Sequence, residues 1–115
     1  METRSTTPPA NIYEAGGELS VAVPIPGAHP NHVEVTVKPQ SLHIEATCKY
    51  PQERQHYLRH DWGVGAWTLD LDLPKPVDAR RSRATLNLGV LVVMAPLGAD
   101  GDGGEHRPRV EGANT

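Results

Sequence analysis

The chain has 115 residues, one cysteine, no phenylalanine and a formal net charge of −3. That length describes one domain with a modest core, and a lone Cys48 excludes an internal disulfide. The mild acidic balance offers no electrostatic footprint for nucleic acid or an anionic membrane. Eleven glycines and eleven prolines, spread along the chain, favour many short elements with sharp turns over long helices. No apolar run follows Arg4, as a secretory signal requires, and no apolar segment approaches bilayer length. We therefore expect a cytoplasmic protein.

Residues 1–10 are polar and end in Thr6, Thr7, Pro8 and Pro9, which predicts a flexible N-terminal arm. Asn11 to Glu14 predicts a short strand, and Ala15-Gly16-Gly17 a turn. Leu19, Val21, Val23 and Ile25 alternate with Ser20, Ala22 and Pro24, the period of a half-buried strand. Pro26 to Pro30 turns the chain. Val33, Val35 and Val37 alternate with Glu34, Thr36 and Lys38, and Leu42, Ile44, Ala46 and Cys48 with His43, Glu45 and Thr47, giving a hairpin.

Residues 49–66 break the rhythm. A connection this long is unusual in a compact domain, and His56 to Trp62 has room for one short strand. Trp67, Leu69, Leu71 and Leu73 resume the alternation, and Pro74-Lys75-Pro76 stops it. Val77 to Arg83 is a charged connector. Ala84, Leu86 and Leu88 alternate with Thr85 and Asn87 before Gly89 turns the chain. Val90 to Ala95 is apolar at every position and predicts a strand covered on both faces, closed by Pro96. Residues 98–115 read as a disordered tail by composition. The predicted class is all-β, an antiparallel immunoglobulin-like β-sandwich over residues 11–97.

The side chains that invite chemistry have plainer readings. His56 and His60, with Asp61, form the strongest metal candidate, but zinc needs them on a helix that Pro51, Gly63 and Gly65 oppose. On a strand the two rings stand too far apart for one ion. Asp100 to Glu105 lacks the later ligands of a calcium loop. Asp70 and Asp72 share one strand face, roughly 7 Å apart by strand rise, with no pocket signal beside them. Arg80-Arg81-Ser82-Arg83 reads as a solvated connector, and Cys48 as a small buried hydrophobe. No nucleophile elbow or phosphate-cradling glycine loop occurs. The expectation is no enzyme, no metal and no cofactor.

The segment Ala84 to Pro96, with its Gly89-Val90-Leu91, resembles the α-crystallin domain signature of small heat shock proteins, in the bacterial type. Pro26-Gly27, Pro30 and Val33-Glu34-Val35 are similar to another family segment. So are Asn11 to Glu14, Gly65-Ala66-Trp67, Leu73-Pro74 and Val77-Asp78. The resemblance covers Asn11 to Pro96. It implies an ATP-independent holdase whose partners are unfolded client proteins and a second copy of itself. It implies a peptide groove between Val33, Val35, Val37 and Ala84, Leu86, Leu88. It also implies dimer formation by exchange of His56, Tyr57, Leu58, Arg59, His60, Asp61 and Trp62. The alternative is a co-chaperone or adaptor sandwich that binds one folded partner.

Departures from the family pattern are specific. Leu69 stands where many relatives carry an arginine, Leu88 replaces an asparagine before Gly89, and Ser82 takes a commonly apolar position. The C-terminal Ile-x-Ile/Val motif is missing. Arg107-Pro108-Arg109-Val110 supplies one apolar side chain, too few by this reading for two pockets.

Overall fold

A computed structural model describes residues 5–48, 55–61, 65–98 and 104–112. Nine strands are present among them: β1 Ser5–Thr6, β2 Asn11–Ala15, β3 Glu18–Pro24, β4 Ala28–Lys38, β5 Ser41–Cys48, β6 Ala66–Asp72, β7 Arg83–Asn87, β8 Val90–Pro96 and β9 Val110–Gly112. They form two sheets, in the orders β1-β6-β5-β4 and β2-β3-β8-β7-β9. A single 3₁₀ turn, Ala79–Arg81, precedes β7. Among the described residues no helix is long and apolar enough to cross a membrane.

The two-residue period decides which face of each strand is buried. Val33, Val35 and Val37 point inward from β4, Leu42, Ile44 and Ala46 from β5, and Trp67 and Leu69 from β6. The facing sheet contributes Leu19, Val21 and Val23 from β3, Leu91, Val93 and Ala95 from β8, and Ala84 and Leu86 from β7. This is an antiparallel-rich β-sandwich, as the alternation predicts. Ile25, Val77 and Ala79 close the ends of the core.

Several local features differ from the sequence reading. The strand at Val90 is not covered on both faces. Leu91, Val93 and Ala95 are buried, whereas Val90 is 38% exposed and Val92 and Met94 are half-buried. An antiparallel strand flanked laterally by β3 and β7 has its backbone satisfied, so its outer face needs no cover. The first ten residues, expected to be flexible, include an ordered piece. Ser5 and Thr6 pair in parallel with Ala66 and Trp67, and Pro8 is buried. Ser82, at a position where an apolar residue was expected, is buried but satisfied, because its hydroxyl donates to the Ala79 carbonyl at 2.7 Å.

The outward face of β5 and β6 carries one ionic group of note. His43 Nδ1 lies 2.5 Å from Asp70 Oδ1, and His43 Nε2 lies 3.6 Å from Glu45. The hydrogen bond to Asp70 holds the imidazole above its ordinary value near 6.5, burial opposes this, and Glu45 adds to the rise. A histidine with a raised folded-state pKa stabilises fully below its unfolded value and loses that contribution as pH rises through the folded value. Chemical denaturation should therefore show stability falling as pH climbs from about 6.5, and His43→Gln should flatten that part of the profile.

The turn between β7 and β8 holds Leu88 and Gly89 at φ of 54° and 81°. Two residues with positive φ suit the right-handed twist of a hairpin, but a leucine in that region is strained. Replacing Leu88 by Asn should raise unfolding stability by about 1 kcal/mol, measured as a shift in denaturation midpoint at constant slope.

A cleft between two sheet edges, filled by the chain itself

β4 ends one sheet, and β7 would end the other if β9 were absent. The two strands line a cleft along one side of the sandwich. Val33, Val35, Val37, Ala84 and Leu86 all stand on these strands, with their side chains turned into the core. Leu88, the sixth expected groove residue, does not line the cleft. It sits at the tip of the β7–β8 turn, 96% exposed, because β7 ends at Asn87 and the alternation does not continue through a turn.

The cleft is occupied. Residues 104–112 return along it, so for these residues the expectation of a disordered tail over 98–115 is corrected; 99–103 and 113–115 lie outside the described residues. Val37 N–H donates to the His106 carbonyl and His106 N–H donates to the Val37 carbonyl, each at 2.8 Å. Further on, Val110, Glu111 and Gly112 pair in parallel with Ala84, Thr85 and Leu86. This short segment thus satisfies edge groups of both sheets. Pro108 and Val110 are both buried while Arg107 and Arg109 point out. The expectation of a single apolar side chain in this stretch overlooked Pro108, whose ring fills space as an aliphatic group.

Gly112 shows how tightly this segment lies. A Cβ there would stand 2.5 Å from Pro30 Cγ and 2.9 Å from the Leu86 carbonyl. The close approach needs a residue without a side chain.

The segment expected to exchange between copies is exposed. Cys48 N–H donates to the Gly65 carbonyl at 2.9 Å, so the connection between them leaves and returns at one point. Of His56 to Trp62, Trp62 lies outside the described residues, and 56–61 forms no strand within this subunit. Leu58 is 94% exposed. The Tyr57 and His60 rings stack at 4.3 Å, and Arg59 pairs with Asp61 at 2.7 Å. Among the described residues no group of three His, Cys, Asp or Glu side chains is placed to hold a metal ion. Open stretches of edge among them include the outer side of β2, β6 beyond the two residues that β1 covers, and β4 away from Val37.

The family model of the Hsp20/alpha crystallin family matches residues 11–107. The chain belongs to that family. Similar solved structures include a small heat-shock protein from Xylella fastidiosa, 26% identical over 84% of this chain and 90% of that one, with a TM-score of 0.69. A mutant of hsp14.1 from Sulfolobus solfatataricus P2 is 28% identical over 83% of this chain and 78% of that one, at a TM-score of 0.66. The hspA of Xanthomonas axonopodis has the same fold, with a TM-score of 0.70 at 24% identity over 82% and 96% of the two chains. Membership of the family supports a chaperone role for this chain.

Gly112→Val should detach the returning segment without unfolding the sandwich. Hydrogen exchange should then report faster exchange at the Val37 and His106 amides, with the Leu91 and Ile44 amides unchanged. Retained protection at Val37 would contradict the assignment of Gly112 as the point that fixes this segment.

Proposed function

We propose that this chain is an ATP-independent holdase that takes up extended, partly apolar segments of unfolded proteins in the cleft between β4 and β7. One observation supports this reading above all: residues 106–112 already lie there as a bound peptide would. They pair through their backbone with both edges and bury two alternate side chains, Pro108 and Val110. Backbone pairing is indifferent to sequence, and shallow aliphatic pockets accept many side chains, the two properties a general capture site needs. A client segment gains the site by displacing the returning segment, which is held by few hydrogen bonds and by small side chains.

The same reading extends to self-association. The 56–62 segment, exposed over most of its described residues 56–61, and the open outer side of β2 are the elements through which two copies would join, a strand from one subunit completing an edge of the other. The Xylella fastidiosa relative is described as having a distinct high order structure. For this chain the proposal is a dimer or small oligomer, since residues 104–112 pair within their own subunit.

Light scattering of a heat-stressed client tests the central claim. Near-stoichiometric protein should suppress aggregation without nucleotide, and Gly112→Val should suppress it at a lower ratio by opening the cleft. Undiminished aggregation at equimolar protein, together with recovery of one folded partner in its place, would move the function to an adaptor.

A further inference from the structure

The outer side of the returning segment carries charge that the cleft beneath it does not require. In the parallel register Ala84 stands beside Val110 and Thr85 beside Glu111. One step back, Arg109 stands beside Arg83. Both arginines line a shallow cleft of about 330 Å³ whose walls also include Ala84, His106, Pro108 and Glu111. Like charges abreast on neighbouring strands repel, so this pair works against the docking of residues 104–112. Arg83 has one carboxylate, Glu18, at 2.7 Å. Arg109 is exposed and has no carboxylate partner among the described residues.

Three more arginines add to the same corner. Arg80 and Arg81 are exposed on the 3₁₀ turn that leads into β7. Arg107 is exposed on the returning segment, with Glu105 4.0 Å away. In a chain whose net charge is −3, five arginines stand on the returning segment and on the stretch that leads into β7. Glu111, opposite Thr85, lines the same cleft, so an anion held by the two arginines must outweigh its carboxylate.

We propose that this cleft is an oxyanion site, in which the Arg83 and Arg109 guanidiniums hold a phosphate group between them and so pin residues 104–112 to the sandwich. A guanidinium fork matches a tetrahedral oxyanion through two parallel N–H donors, and the pair of forks turns mutual repulsion into shared attraction. The neighbouring arginines raise the local potential and concentrate anions at the junction. The Ser82 hydroxyl is already committed to Ala79 and plays no part. Ala84 and Pro108 also line this cleft, so the two guanidiniums border the apolar floor and a phosphate that pins the segment would oppose client capture. Hydrogen exchange read without a client separates the failure of this site from the failure of capture.

Hydrogen exchange on the full chain tests it, read at the amides of residues 104–112 and at Val37. The probes are inorganic phosphate and a short phosphoserine peptide, each set against sodium chloride of matched ionic strength. At a phosphate concentration about ten times the dissociation constant, opening of the segment should fall about tenfold, as expected for a ligand that binds only the closed form. Arg109→Gln should abolish that phosphate-dependent difference, and Lys75→Gln, a cation that does not line this cleft, should leave it intact. Protection by inorganic phosphate supports a site for the free anion. Protection by the peptide alone supports one for a phosphorylated chain. No protection from either probe, equal protection from chloride, or an undiminished effect in Arg109→Gln would overturn the proposal.

Discussion

Two pleated surfaces of valine, leucine, isoleucine and alanine are pressed together, and each feature of this molecule answers to that contact. With no phenylalanine in the chain, no single side chain dominates the interior. Trp67 is the one large aromatic among the buried residues described. The core therefore draws its stability from many aliphatic groups of similar size meeting at close range. Such a core demands strict inward-outward alternation, because a slip of one residue would turn a whole strand's apolar set to solvent. β5 and β8, each paired on both sides, hold that register for their sheets.

A sandwich leaves edges, and the treatment of edges gives this protein its character. β1 covers the start of β6, and residues 104–112 cover β4 and β7 at once. Both covers are short, both involve parallel pairing, and both come from outside the span of alternating strands. A row of unpaired amides and carbonyls is a template for any extended chain. Closing it with the chain's own peptide removes part of that template.

The strands that build the core were legible because their pattern is local. Val33-Glu34-Val35-Thr36-Val37 reads as a strand with one buried face whatever surrounds it, and so does Leu42 to Ala46. The hairpin at Gly89 was legible too, because glycine takes the positive φ that the turn requires. What the pattern could not convey depends on partners distant in sequence. Leu88 continues the alternation in the one-dimensional string, yet the reversal of direction occurs at that residue and sends its side chain to solvent. Pro108, Val110 and Gly112 sit in a stretch whose glycines, acids and arginines suggest solvation. Their spacing acquires meaning only once two vacant edges stand ready to receive them. Ser5 and Thr6 are ordered for the same reason.

The pairing of β3 with β8 joins residues as far apart in the chain as Glu18 and Pro96. Loop closure over that span must be paid before the contact returns anything, and topologies dominated by such pairings reach their native state in milliseconds to seconds, far more slowly than helical bundles. During that interval β3 and its neighbours are themselves sticky, incomplete polypeptide. A protein whose family guards others against aggregation must first traverse the same hazard on its own account.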